Sequence, residues 1–242
     1  MDLDEEQILD YLHILKSQHR TPSESFFKHT VYGLRYAYRI SGMKEMRVIL
    51  PSIERPKKLP VVLGHNEVRQ LLKAPKLLKH RLVLAMLYGC GLRSFELCNL
   101  QLKDLDLERK MLHVRQGKGR KDRYVPLCAM QVRGLRKYIS AERPVTWCFN
   151  GNDSKGGPVA LSARGVQWIV KEARKHSGIQ KEVTTHSLRH SYATHLLEMG
   201  LDIMSVKDLL GHADIQTTLT YLHVAQLGRQ RPFSPLERLY NK

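Results

Sequence analysis

The spacing of apolar residues constrains the fold of this chain more than any other feature. Along most of the sequence, apolar side chains recur every three or four residues, as in residues 4–17, which is typical of amphipathic helices. Between residues 104 and 127 the pattern changes to short apolar or alternating runs separated by charged and glycine-rich turns. Such runs predict a small antiparallel sheet with hairpin turns. The sequence therefore predicts a mainly α fold with one small antiparallel β-sheet, in the α+β class.

A proline-rich segment divides the chain. Residues 51–60 contain three prolines and three basic residues. Prolines at this density end helices and stiffen a connection. We therefore predict a short helical segment over residues 1–54, a linker over 55–60 and a larger domain over 61–242 that ends in a tail, 225–242.

The charge of the chain points to a polyanionic partner. Its 242 residues include 40 Lys and Arg against 23 Asp and Glu, a net charge of +17. Residues 1–54 hold only 7 of the basic and 8 of the acidic side chains, so the whole excess lies in the rest of the chain. An excess of this size suits nucleic acid, an anionic membrane surface or an acidic substrate, and it says nothing of the fold.

Other features of the sequence predict a cytoplasmic protein. No apolar run approaches the roughly 20 residues of a membrane span. The first six residues are acidic, where a signal peptide would be basic and then apolar. The four cysteines lack the close spacing of a zinc knuckle, which favours reduced thiols in a reducing compartment.

Five short motifs contain the side chains that could perform chemistry. Taken singly, each has an ordinary structural explanation: a surface ion pair, a solvated turn, satisfied histidines, a helix stop and a packed tyrosine. The motifs are Gly-Leu-Arg-Ser-Phe-Glu-Leu at 91–97, a glycine-flanked basic hairpin at 116–123, His-Ser-Leu-Arg-His at 186–190, Leu-Leu-Gly-His at 209–212 and Thr-Thr-Leu-Thr-Tyr at 217–221.

The histidine motif leaves two interpretations open. His186 and His190 share one helix face with Arg189, and two histidines four residues apart can bind zinc. However, no acidic third ligand is evident, and Arg189 would place a cation beside the metal. We therefore favour an anion-binding role over a zinc site, with His190 and His195 interpreted as structural histidines.

Taken together, the motifs describe a site for a phosphodiester. Two-metal nucleases need paired carboxylates to hold their ions, and this set has none. Arginine forks match the two non-bridging oxygens of a phosphate. A tyrosine can act as nucleophile if surrounding cations lower its pKa from about 10. The predicted site consists of Arg93, Lys118, His186, Arg189, His212 and Tyr221.

The order of these motifs resembles that of the tyrosine recombinases, the phage-integrase superfamily, and is similar to its Xer-type and integron-type members. The resemblance covers about residues 57–224 and rests on five ordered motifs. It implies a tyrosine-recombinase catalytic domain preceded by a short helical core-binding segment that binds DNA. That segment, residues 1–54, is shorter here than is usual in the family.

The resemblance also implies a role for each catalytic residue. Tyr221 would attack the scissile phosphate, giving a 3′-phosphotyrosine link and a free 5′-hydroxyl. Arg93 and Arg189 would hold the non-bridging oxygens and stabilise the transition state. Lys118 would protonate the departing 5′-oxygen, and His186 would assist proton transfer at the nucleophile or the phosphate.

Further residues are expected to support this reaction. His212 would hydrogen-bond the phosphate, and Glu96 would orient Arg93 or its helix. Contacts with the DNA backbone are expected from five basic residues in the linker and the hairpin: Lys57, Lys58, Arg120, Lys121 and Arg123.

The expected partner is double-stranded DNA that carries a specific recombination site, and the reaction needs no metal, ATP or cofactor. A homotetramer on synapsed DNA would form through the tail, with Phe233, Leu236 and Leu239 as anchors, although the tail could instead fold back on its own domain. The chain would act at the nucleoid of a prokaryote or belong to a phage or mobile element. The alternatives are a type IB topoisomerase-like enzyme, a telomere resolvase and a catalytically silent DNA-binding regulator.

Overall fold

The computed structural model describes residues 5–18, 24–42, 60–115, 122–152, 157–222 and 224–225. The chain separates into two compact units, Met1–Lys58 and Leu59–Lys242. The linker predicted at 55–60 lies outside the described residues except for Pro60, and so do Lys57 and Lys58. The assignment of residues 1–54 as a core-binding domain stays a prediction.

The first unit contains two helices, α1 (Glu5–Gln18) and α2 (Glu24–Ile40). Its described side chains bury Ile8, Val31 and Tyr38. None of the helices in the described ranges combines the length and the apolar content that a bilayer crossing needs.

The second unit is also mainly helical. Its described helices are α3 (His65–Lys73), α4 (Leu78–Gly89), α5 (Ser94–Cys98), α6 (Ala129–Glu142), α7 (Ala163–Ser177), α8 (Thr185–Glu198), α9 (Ile203–Leu210) and α10 (Gln216–Leu219). Strands β1 (Leu105–Asp106), β2 (Met111–Val114) and β3 (Arg123–Pro126) form an antiparallel sheet in the order β1-β2-β3. This arrangement confirms the predicted fold class.

Two details differ from the sequence prediction. A second hairpin pairs β4 (Asn150–Asn152) with β5 (Pro158–Ala160). Strands of three residues are too short to show an alternating pattern, so periodicity could not predict them. The helix expected over 216–224 ends at Leu219 and continues as turns.

Helix α4 lies at the centre of the second unit, where it packs against α3, α5, α6, α7 and α8. It is apolar on nearly every face, with Leu82, Val83, Leu84, Met86 and Leu87 buried. Helix α8 is its most extensive neighbour and buries polar as well as apolar residues. Because α8 carries the histidine motif, its burial places that motif inside the molecule.

The sheet leads to the basic hairpin. Val114 of β2 pairs with Arg123 of β3, so residues 115–122 form the connection. At its base Arg115 pairs with Asp104, and His113 lies 3.0 Å from Asp122. The tip of this connection, residues 116–121, lies outside the described residues.

The turn after α4 depends on Gly91. Its φ of +57° lies in the left-handed region, and a Cβ at this position would lie 2.5 Å from the ring of Tyr192. Both the conformation and the close approach therefore require glycine. The turn ends α4 and places Arg93 at the start of α5.

We predict that Gly91→Ala destabilises the protein more than Gly178→Ala. Both glycines have positive φ, but a Cβ at Gly178 would meet no atom within 4 Å. Alanine at Gly178 should cost about 1 kcal/mol for the left-handed backbone, whereas at Gly91 the clash adds roughly 1–3 kcal/mol. Urea unfolding of both variants measures the difference, and equal losses would contradict the argument.

Candidate active site

Arg189 lies at the centre of the site and connects three segments of the chain. Its side chain is only 4% exposed. One terminal nitrogen donates to the carbonyl of Gly91, and the other donates to the carbonyl of Leu210 at 2.6 Å. The guanidinium therefore joins α8 to the turn before α5 and to the end of α9.

Glu96 is the anion around which the arginines gather. Its side chain is 2% exposed. Arg123 donates to both carboxylate oxygens, at 2.9 and 2.8 Å. Arg93 donates to Oε1 at 2.8 Å, and the guanidinium of Arg189 lies 3.9 Å from Oε2. One buried carboxylate thus neutralises part of the charge of three arginines.

The close approach of these charged groups shifts the pKa values of Glu96 and Arg189. Burial alone would raise the pKa of Glu96, but the hydrogen bonds and charge of Arg123, the Arg93 N–H and the charge of Arg189 lower it to about 2. Burial, together with the charge of Arg93, lowers the pKa of Arg189 to about 10. At neutral pH all these groups are ionised, and the cluster keeps an excess of positive charge.

Arg93 occupies the position at which it could meet an anion. Its backbone N–H donates to Glu96 at 2.9 Å, which caps the start of α5, and its guanidinium is held by the same carboxylate. The side chain remains 21% exposed, against 4% for Arg189. Glu96 therefore contacts Arg93 directly, and it also pairs with Arg123 and, at a longer distance, with Arg189.

Arg123 does not lie where the sequence placed it. It was expected to contact the DNA backbone from the hairpin, but its side chain is only 8% exposed and its guanidinium forms an ion pair with Glu96. Its Nε also donates to the carbonyl of Leu209 at 2.8 Å. The sequence could not predict that Arg123 is buried, because a run of basic residues such as 116–123 does not show which arginine points into the protein.

Tyr221 is buried, with 3% of its surface exposed. Its ring belongs to a small apolar cluster with residues of α8 and α9, including Ala193, Val206 and Leu210. Its hydroxyl lies 3.1 Å from Nδ1 of His190. The structure thus brings the expected nucleophile to a histidine that the sequence analysis interpreted as structural.

The pKa of Tyr221 is raised above its ordinary value, contrary to the expectation from sequence that surrounding cations would lower it. Burial raises it, and the opposing charges of Arg189 and Arg93 offset only part of that effect. The phenol is therefore protonated at neutral pH, so attack by its oxygen requires a group that accepts the proton.

The ring of His212 also lies near Tyr221, with the two ring centroids 6.3 Å apart. Gly211 ends α9, and His212 follows it as predicted. Its Nδ1 lies 2.9 Å from the hydroxyl oxygen of Thr218, a buried residue that no sequence signal singled out. Burial and then Arg189 and Arg93 lower the pKa of His212 to about 4, so its ring is neutral.

The remaining predicted residues differ in position. His186 is exposed in the first turn of α8, and its ring centroid lies 6.3 Å from that of His190. Lys118, Arg120 and Lys121 lie outside the described residues.

His195 belongs to a separate group on α8 and α3. Its Nδ1 lies 2.8 Å from the hydroxyl of Tyr88, and its ring stacks on that of His65. Within the described ranges, His65, His195 and Glu198 are three potential metal ligands whose donor atoms lie within 4.8 Å of one another. The stacking and the Tyr88 contact account for His195 as a structural histidine.

The arrangement can bind a phosphate and deliver a nucleophile to it. The ring centroid of His212 lies 6.3 Å from that of Tyr221, and the charges of Arg189 and Arg93 act on the Tyr221 hydroxyl, where they oppose the effect of burial on its pKa. Cations and hydrogen-bond donors of this kind stabilise the charge that develops when an oxygen nucleophile attacks a phosphodiester.

Comparison with known proteins identifies relatives of this chain. Residues 61–227 match the model of the Phage integrase family. Tyrosine recombinase XerA of Thermococcus onnurineus is 39% identical over 196 residues, which cover 80% of this chain and 69% of XerA. A tyrosine recombinase of Thermosipho africanus is 36% identical over 227 residues, covering 92% of this chain and 75% of that protein.

Solved structures show the same fold. The crystal structure of XerA recombinase aligns with a TM-score of 0.62 and 27% identity, covering 98% of this chain and 82% of that one. XerH recombinase bound to its difH substrate aligns with a TM-score of 0.71 and 23% identity, covering 91% of this chain and 67% of that one.

We predict that Glu96→Gln destabilises the protein in a pH-dependent manner. At pH 7 the loss should be roughly 3–5 kcal/mol, because buried arginines lose their counter-ion. Since folding lowers the pKa of Glu96 from 4.5 to about 2, its contribution is complete above pH 4.5 and disappears as the pH falls towards 2. Urea unfolding at pH 7, 5 and 3 should show the two proteins converging.

The matched control is Asp208→Asn, which removes an exposed ion pair with Lys207 at 3.6 Å. Such a pair contributes little, so this loss should stay below about 1 kcal/mol. A Glu96→Gln penalty that is equally small, or that is the same at pH 3 and pH 7, would contradict the account of the cluster.

Proposed function

This chain belongs to the phage integrase family, the tyrosine recombinases that break and rejoin DNA, and from that premise we propose that it is a site-specific recombinase or integrase acting through a 3′-phosphotyrosine intermediate. The observation that carries the proposal is the buried cluster of Arg93, Arg123 and Arg189 around Glu96, beside the hydroxyl of Tyr221. Three fixed positive charges against one carboxylate leave an excess that a phosphodiester would offset.

Two arginines would bind the scissile phosphate. Arg93 is partly exposed and Arg189 is rigidly held, so their forks can reach the non-bridging oxygens with little loss of side-chain entropy. In the pentavalent transition state these oxygens gain negative charge, and fixed cations stabilise that charge more than the ground state. His212 would add a hydrogen bond to the phosphate.

The other steps follow from the same chemistry. Tyr221 attacks phosphorus, the bond to the 5′-oxygen breaks, and Lys118 on the hairpin protonates that oxygen. His186, exposed at the start of α8, assists proton transfer at the phosphate. The energy of the phosphodiester is kept in the protein–DNA link, so rejoining requires neither ATP nor a metal ion. A 5′-hydroxyl from another strand then attacks the link, which exchanges strands.

Arg123 takes a different role in this proposal from a DNA contact. Because its guanidinium spans both oxygens of Glu96, it holds the carboxylate that orients Arg93. It is a positioning residue, whereas Lys57, Lys58, Arg120 and Lys121 remain candidates for contacts with the DNA backbone.

The partner would be double-stranded DNA with a specific recombination site. The net charge of the chain favours binding to the phosphate backbone, which should weaken steeply with salt. XerH and the Tn1549 transposon integrase are solved with their DNA substrates. We propose that residues 1–54 also bind the duplex.

An apolar groove supports assembly through the tail. The groove has a volume of 650 Å³ and lies between α3, α4, α6 and α8, where its lining includes Leu72, Met130, Leu196 and Met199. We propose that Phe233, Leu236 and Leu239 of a neighbouring protomer dock there when four chains synapse two DNA sites. The tail itself, residues 226–242, lies outside the described residues.

We predict that the chain forms a covalent adduct with DNA without Mg²⁺. A binding site is first selected from random-sequence duplexes. It is then nicked near the cleavage position, so that the short fragment with the free 5′-hydroxyl dissociates after cleavage and cannot rejoin. Denaturing gels should show the adduct with the wild-type chain and none with Tyr221→Phe, although that variant still binds the duplex.

The control for this prediction is Tyr124→Phe, which changes an exposed tyrosine on β3 and should keep the adduct. An adduct that persists in Tyr221→Phe would refute the assignment of the nucleophile. Relaxation of supercoiled DNA that lacks the selected site would favour the topoisomerase alternative, and binding without any adduct would favour the silent regulator.

We predict that deletion of residues 229–242 and the single change Met199→Glu both reduce synapsis while leaving the binding of one protomer to DNA intact. Met199 is 71% exposed in the groove, so a charge there should oppose an apolar tail without unfolding the chain. Val145→Glu, at an 87% exposed residue outside the groove lining, is the matched control. Unchanged synapsis in the deletion variant, measured by native gel or light scattering, would refute docking of the tail.

A further inference from the structure

His190 remains without a role in the reaction as described above, yet it contacts the reacting hydroxyl. It follows Arg189 in α8, and its Nδ1 lies 3.1 Å from the oxygen of Tyr221. The two ring centroids are 5.5 Å apart with an angle of 50° between the planes. This places the edge of the imidazole, rather than its face, against the phenol oxygen.

The ionisation of the two groups fixes the direction of this hydrogen bond. Burial, with smaller contributions from His186 and Arg189, lowers the pKa of His190 to about 4. Burial also raises the pKa of Tyr221. At neutral pH the imidazole is therefore neutral and the phenol protonated. The hydroxyl donates to Nδ1, which assigns the ring proton to Nε2.

We propose that His190 is a catalytic residue that accepts the phenolic proton when Tyr221 attacks DNA, an inference that rests on the proposed function. In cleavage, the bond between the Tyr221 oxygen and phosphorus forms, and the phenolic proton moves to Nδ1 of His190. The bond between phosphorus and the 5′-oxygen breaks, and that oxygen takes a proton from Lys118. Rejoining reverses each transfer, so His190 returns the proton to the departing Tyr221.

An incoming DNA phosphate would assist this transfer. Arg189 and the neighbouring His186 oppose a positive charge on His190. A phosphate held by Arg93 and Arg189 would offset that repulsion, and the transition state adds further negative charge at the same place. The base thus becomes stronger as the phosphate is bound and attacked.

His186 is less well placed to take this proton. It is exposed one turn earlier on α8, with its ring centroid 6.3 Å from that of His190. Its exposure suits contact with the DNA phosphate, whereas His190 is directed inward to the nucleophile. The two histidines therefore divide the tasks that the sequence analysis assigned to His186 alone.

Two variants test the proposal on the nicked substrate. His190→Asn can keep a hydrogen bond to Tyr221 near the Nδ1 position but cannot accept a proton at neutral pH, and His190→Ala removes both. We expect cleavage by His190→Asn to be slower by about 10²–10⁴-fold, the usual contribution of a general base. DNA affinity and the melting temperature should remain within error of the wild type.

A substrate with sulfur in place of the bridging 5′-oxygen separates the two proton transfers. The thiolate leaves without an acid, so this substrate should restore cleavage by Lys118→Ala but not by His190→Asn. Added imidazoles should restore cleavage by His190→Ala, at rates that rise with the basicity of the imidazole. They should not restore cleavage by Tyr221→Phe. A merely structural role would not produce this dependence on basicity.

The outcomes distinguish this inference from the function on which it rests. Failure of the wild-type chain to form any adduct would overturn the proposed function and this role with it. Adduct formation at the wild-type rate by His190→Asn, or its restoration by the sulfur substrate, would overturn the role of His190 alone. Should His190→Ala fold poorly, the His190→Asn comparison with both substrates still decides the question.

Discussion

The buried carboxylate of Glu96 is the interaction on which the site depends. Three guanidinium groups in a mostly dry interior would repel one another, and the single carboxylate allows Arg93, Arg123 and Arg189 to converge. Its position three residues after Arg93 lets it cap α5 and hold that arginine at once. The positive character of the site is therefore built into the fold before any substrate binds.

The cluster carries more positive than negative charge, and this excess links stability to function. In the proposed function, the DNA would supply the missing negative charge, so substrate binding would relieve electrostatic repulsion that folding leaves in place. Burial leaves Tyr221 protonated and His190 neutral, and on this proposal both groups would respond to the incoming phosphate.

Sequence could predict the mainly α fold, most helices and the grouping of Arg93, Arg189, His212 and Tyr221, because periodicity, helix stops and motif order are local signals. It could not predict which members of a motif turn inward. Arg123 lies in a run of basic residues, and only the pairing of β3 directs it to Glu96. His190 shares a helix face with His186, and only the packing of the Tyr221 segment shows which of them meets the hydroxyl. Thr218 could not be predicted, because its contact with His212 is formed by a turn, and a turn leaves no periodic pattern in the sequence.

The two carbonyl contacts of Arg189 have a consequence for how the chain is made. Gly91 lies 98 residues before Arg189, and Leu210 lies 21 residues after it, so its guanidinium is fixed only when both distant segments have arrived. During synthesis, a chain that stops before Leu210 lacks one of these anchors and also lacks Tyr221. Because Leu210 and Tyr221 lie in the same late part of the sequence, the second anchor of Arg189 and the tyrosine become available only after residues 1–209 have been synthesised.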